Sequence, residues 1–222
     1  MAGPELPPDV DVSILPCQVQ AELRNLSIQA AQMAAKHLAV AMNALDEGDA
    51  ETAYAHALAA RSRAARLASV REMCGLAAYH SGRWAEALSE FRTYQRLTGD
   101  PGFLPLMADC ERGMGRPLRA IALSKSDQVR SLDADGRMEL RIVVSGARRD
   151  LGQFEASLVA LECPELRSRA HSPAVARVRY AYADALLAAG RLAEARDWFV
   201  KAALADVDDL TDAADRALEI EV

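Results

Sequence analysis

AYHSGRWAEA, residues 78–87, decides the fold. Gly82 suits the left-handed backbone that closes a helix, because it has no Cβ to clash there. Ala87, five residues later, is small enough for a close helix crossing, and Phe91, four further on, falls on the same helix face. The stretch therefore predicts a helix, a glycine turn and a second helix. The pattern recurs in ALDEGDAETA (44–53), ERGMGRPLRA (111–120), RRDLGQFEAS (148–157) and LLAAGRLAEA (186–195). The turn glycines are Gly48, Gly82, Gly115, Gly152 and Gly190, separated by 34, 33, 37 and 38 residues. So regular a period marks a repeat array. The small crossing residue is in turn Ala53, Ala87, Ala120, Ser157 and Ala195. Phe199 repeats the place of Phe91, and Ala57, Ser124 and Leu161 hold it in the weaker repeats.

Composition supports helices. Of 222 residues 45 are Ala, and aromatic residues make up only 5%, a balance that favours helix over strand. With 51% hydrophobic and 26% charged residues, the chain reads as a folded, soluble protein rather than a disordered or membrane one. The N-terminus lacks a basic region followed by an apolar one, so a cytoplasmic location is expected. The net charge of −6 is uneven. Residues 206–222 carry Asp206, Asp208, Asp209, Asp212, Asp215, Glu219 and Glu221 against Arg216, whereas residues 17–205 hold a net +3. Arg outnumbers Lys 23 to 3. Codon usage in a GC-rich genome explains this, and selection of Arg for bidentate contacts is the alternative. The dispersal of Arg among acids favours the first.

Punctuation sets the boundaries. Asp100–Pro101 and Ser172–Pro173 each read as an N-cap followed by proline at the first helical position, and Pro117 opens a helix after Gly115. Pro105 lies near the start of its helix. Residues 1–16 hold four of the nine prolines and are expected to be mobile. Residues 17–33 read as an N-terminal helix with Val19, Leu23 and Leu26 on one face and Ser27 as N-cap of the next helix. Residues 34–209 hold the five repeats, with insertions at 125–137 and 162–173, each a plain loop or a short helical turn. The helix after the first insertion is expected to start near Met138. Residues 210–222 read as an acidic capping helix with Leu210, Ala214, Ala217 and Leu218 as its apolar stripe.

The chain resembles the tetratricopeptide repeat family, a helix–turn–helix repeat of about 34 residues with W-x-x-L-G-x-x-Y, then A-x-x-x-F, then P. Repeat two matches through Cys74–Gly75, Gly82, Trp84, Ala87 and Phe91, and repeat five through Gly190, Leu192, Ala195, Phe199 and Ala202. Repeat three keeps Met107–Ala108, Gly115 and Ala120, and repeat four keeps Gly152, Phe154 and Leu158. Composition and texture also resemble small repeat proteins of high-GC bacteria. The resemblance implies an all-α fold, an α-α superhelix of about five repeats with capping helices at both ends. In the family, peptides lie along the concave face formed by the first helices. Carried over, that face includes Leu38, Met42 and Leu45, then Glu72, Leu76, Tyr79 and His80. Asp109, Arg112, Glu139, Ile142 and Arg149 follow, and finally Arg177, Tyr180 and Asp184. Some members clamp a terminal carboxylate with Lys and Asn. Here Lys36, Lys125 and Lys201 are the only lysines and Asn43 stands apart, so that pattern is not carried over.

Chemistry is sparse. The Gly-rich phosphate loop, the zinc-protease helix and the nucleophile elbow are all absent from the sequence. Gly113-Met-Gly115 falls at a helix turn, and Cys17, Cys74, Cys110 and Cys163 lie 57, 36 and 53 residues apart. No metal, no cofactor and no enzymatic activity are therefore expected. His37, His56, His80 and His171 read as solitary surface or core residues, and Trp84 and Trp198 as packing residues. The basic run RSRAARLASVR (61–71) lies mostly on the convex side, which disfavours nucleic acid as a ligand. The expected function is a protein–protein interaction scaffold that binds an unidentified protein or peptide in its groove, without a membrane partner. An accessory regulator contacting nucleic acid through Arg-rich surfaces is the alternative. Self-association is compatible with both.

Overall fold

The computed structural model describes residues 3–220. Glu221 of the acidic tail, with Met1, Ala2 and Val222, lies outside the described residues. Among these, the chain is all helical, with twelve α-helices, two short 3-10 turns and no strand. None of the helices is long and apolar enough to cross a membrane. The chain divides into two compact units, one ending at Phe103 and one beginning at Leu104.

The first unit contains α1 (Cys17–Leu23), α2 (Ile28–Asp46), α3 (Ala50–Ala64), α4 (Ala68–His80) and α5 (Trp84–Thr98). Helices α2 and α3 pair across Gly48, and α4 and α5 across Gly82. Ser27 caps α2 through a bond from the Ala30 N–H, as the sequence predicts. The N-terminal helix, however, ends at Leu23 rather than near residue 33, and α2 already begins at Ile28. Within residues 3–16, Leu15 is buried, and Val10 and Ile14 pack on the same core.

The second unit contains α6 (Leu104–Gly113), α7 (Pro117–Leu123), α8 (Ala134–Asp150), α9 (Phe154–Leu161), α10 (Pro173–Ala188), α11 (Leu192–Ala205) and α12 (Ala213–Glu219). Glycines 115, 152 and 190 join α6 to α7, α8 to α9 and α10 to α11. Pro117 opens α7, and Ser172 caps α10 ahead of Pro173. Asp100–Pro101 does not open a helix. The Asp100 carboxylate instead accepts the Gly102 N–H at 2.9 Å in a local turn, and α6 starts at Leu104. Both insertions form 3-10 turns, at Asp127–Ser131 and Pro164–Arg167. They follow second helices of only seven and eight residues. Leu132 and Leu166 then fill the core space those short helices leave open. Helix α8 begins at Ala134, not near Met138, because the Asp133 carboxylate caps it through the Gly136 N–H.

The glycine turns show in the backbone. All five turn glycines have φ between 68° and 79°, the region that costs a residue with a Cβ most. Ala53, Ala87, Ala120, Ser157 and Ala195 are each 0% exposed, where only a small side chain lets two helices meet. At α12 the apolar stripe differs from expectation. Ala213 and Ala217 face the core, while Leu210, Ala214 and Leu218 point to solvent. In this orientation the Arg216 guanidinium reaches Tyr180 and Asp184 of α10.

Candidate functional site, a groove on the first unit

Helical periodicity builds the site. Leu38, Met42 and Leu45 follow one another on one face of α2, and Ser69, Glu72, Met73 and Leu76 on one face of α4. With Val19 and Glu22 of α1 and Tyr94 of α5, these faces enclose a cavity of about 440 Å³. Leu38 is fully buried at its floor, and Met42, Leu45 and Leu76 are half-buried along its walls. Glu22 fixes α1 against α4. Its Oε2 accepts the Ser69 backbone N–H at 3.1 Å and the Ser69 hydroxyl at 2.9 Å. Leu67, the N-cap of α4, offers no side-chain bond of its own, so the acid supplies the missing cap from another helix.

The groove is electronegative. Burial raises the Glu72 carboxyl above the usual carboxylate range, and the neighbouring Glu22 and Asp100 charges add to this. The Tyr94 hydroxyl is pushed up to about 12 by burial first, then by Glu72 and Asp100. Of the residues expected on a peptide-binding face, Leu38, Met42, Leu45, Glu72 and Leu76 meet here. Tyr79 and His80 do not line this cavity. They sit at the end of α4, with Tyr79 edge-on to Trp84 at 5.3 Å and to His80 at 5.6 Å.

In the second unit, the expected face is brought together but turned onto itself. Arg112 Nε donates to Asp150 Oδ2 at 2.6 Å, and Nη1 reaches Asp109 at 3.3 Å. The Arg112 guanidinium lies against Gly146, where an added Cβ would come within 2.9 Å of it. Arg149 and Arg216 both pair with Asp184, at 3.5 and 2.9 Å. The Tyr180 hydroxyl donates to Asp212 at 2.6 Å and accepts from Arg216 at 2.8 Å. Glu139 pairs with Arg177, and Ile142 packs on the core. The result is a ladder of ion pairs that links α6 to α8, α8 to α10 and α10 to α12. Its charges are already neutralised within the unit.

Three constellations escape a reading by spacing. His37 of α2 and His56 of α3 are not solitary: their Nδ1 atoms lie 3.0 Å apart at 2% and 4% exposure. Buried Glu90 accepts both Arg61 and Arg71, the latter at 2.7 Å. Arg179 is buried and donates to the carbonyls of Leu166, Ser168 and Lys201. Burial lowers its ordinarily high pKa. Each joins residues 19 or more positions apart or binds backbone oxygens, neither of which leaves a local pattern. No group of three or more His, Cys, Asp or Glu among the described residues could hold a metal ion. In comparison with known proteins, no family model matches the chain and no curated protein matches it.

Proposed function

We propose that the chain is an interaction scaffold of tetratricopeptide-like helix pairs, wound within each unit as such repeats wind. It binds an extended segment of a partner protein and catalyses nothing. The observation that carries this reading is the cavity of about 440 Å³ between α1, α2 and α4. It lies on the face of the first helices where the family resemblance expects a peptide. Aliphatic walls with a few polar groups suit side-chain anchoring. The alternative nucleic-acid reading loses two of its cations, because Arg61 and Arg71 both turn onto Glu90. A displayed library of random peptides, panned against the chain and a Met42→Arg/Leu76→Arg variant, tests the proposal. Peptides enriched on the wild type should not bind the variant, whose circular dichroism and melting should be unchanged. Equal binding to both would overturn it.

A further inference from the structure

We propose that the groove of the first unit selects partner segments in which Lys or Arg stands beside aliphatic residues. This rests on the scaffold reading and goes beyond it, since that reading leaves the chemistry of the segment open.

The lining holds three carboxylates, those of Glu22, Asp46 and Glu72, and no Lys, Arg or His. Glu22 is partly satisfied by Ser69. Glu72 is half-buried and has neither a hydrogen bond nor an ion pair among the described residues. A carboxylate held away from water without a counter-charge is costly, and an incoming cation relieves that cost. Arg71, next to Glu72 in sequence, is turned away from it: its side chain is bonded to Ala65 O and to Glu90. Burial first, and then the neighbouring carboxylates, raise the pKa values of Glu72 and Tyr94.

The aliphatic walls complete the selection. The methylene stem of Lys or Arg packs on the half-buried Met42, Leu45 and Leu76 while its head reaches Glu72. An aliphatic neighbour in the segment fills the rest of a space sized for a few side chains. An acidic segment, or a terminal carboxylate, meets three like charges and is rejected. The complementary partner is therefore basic and aliphatic.

The test uses the full chain and the displayed library. Enriched peptides should carry Lys or Arg adjacent to Leu, Ile, Val or Met. Synthesised with an amidated C-terminus and a fluorescent label, they should bind about tenfold more weakly to Glu72→Gln. Exchange of the basic residue for Glu should abolish binding. Neutral or acidic peptides that bind Glu72→Gln normally, yet fail on Leu76→Arg, would overturn the charge preference and leave the groove intact. An enriched pool indifferent to Leu76→Arg would remove the scaffold reading itself. Melting curves of each variant separate lost binding from lost folding.

Discussion

Two imidazoles in one dry contact can share a single proton. The Nδ1 atoms of His37 and His56, 3.0 Å apart, require one ring to donate and the other to accept. Burial depresses both pKa values, and for His37 the His56 and Arg63 charges add to burial. The folded state thus resists protonation that the unfolded chain accepts near pH ~6.5. Stability is then full above that value and declines as the pH falls below it. A thermal melt series from neutral to mildly acidic pH should show this decline, and His56→Phe should flatten it. An unchanged slope in the variant would count against the pair as its source. Gly75 makes a second residue-scale point. A Cβ there would lie 2.5 Å from Phe91, whose ring is fully buried and stacked on Phe103 at 4.8 Å. Because the fully buried Phe91 ring has little room to retreat, Gly75→Ala should cost about 1–3 kcal/mol in urea unfolding, the usual penalty of overpacking.

Helices are joined here by a few charges whose two sides are unequally buried. Glu90 on α5 is 4% exposed, whereas Arg61 on α3 and Arg71 on α4 keep contact with water. Removing the acid by Glu90→Gln frees two arginines that can turn outward, and should cost about 1 kcal/mol. Removing both arginines as Arg61→Ala/Arg71→Ala strands a buried carboxylate and should cost about 3 kcal/mol. Urea midpoints of the two variants check the ordering, and the reverse ordering would refute the account. The same scale shows what a single sequence makes legible. The glycine turns, the crossing residues and the face of α2 and α4 are all set within a few residues of one another, so periodicity reveals them. The Asp100 turn and the buried face of α12 depart from the local pattern, which carries no trace of the Asp100–Gly102 bond or of the distant partner Asp184. The His pair, Glu90 and the ion ladder need tertiary contacts. Only their residue types were visible, not their meeting.

At the scale of the whole chain, the charge of −6 resides in the ends, and the C-terminal end is not only a solubilising cap. Within the second unit, α12 lays Ala213 and Ala217 on Phe199 and Ala202. Arg216 stands over the Phe199 ring at 4.7 Å while bonding Asp184 and the Tyr180 hydroxyl. Asp206 anchors the start of the tail through Leu210 N–H, Thr211 N–H and the Thr211 hydroxyl. Those bonds, the Thr211 hydroxyl foremost, hold the Asp206 carboxyl below the ordinary range. Deleting residues 206–222 would therefore uncover buried aromatic surface and leave Asp184 with Arg149 alone. Loss of the apolar burial and of the Arg216 bonds should lower unfolding stability by about 2–4 kcal/mol. Arg216→Ala in the full chain should account for about 1–2 kcal/mol of that. Hydrogen exchange locates the effect: amides of α10 and α11 should lose protection, whereas those of α2 and α3 should keep theirs. If the truncated chain kept its urea midpoint and only became less soluble, the tail would be a charge device and its packing incidental.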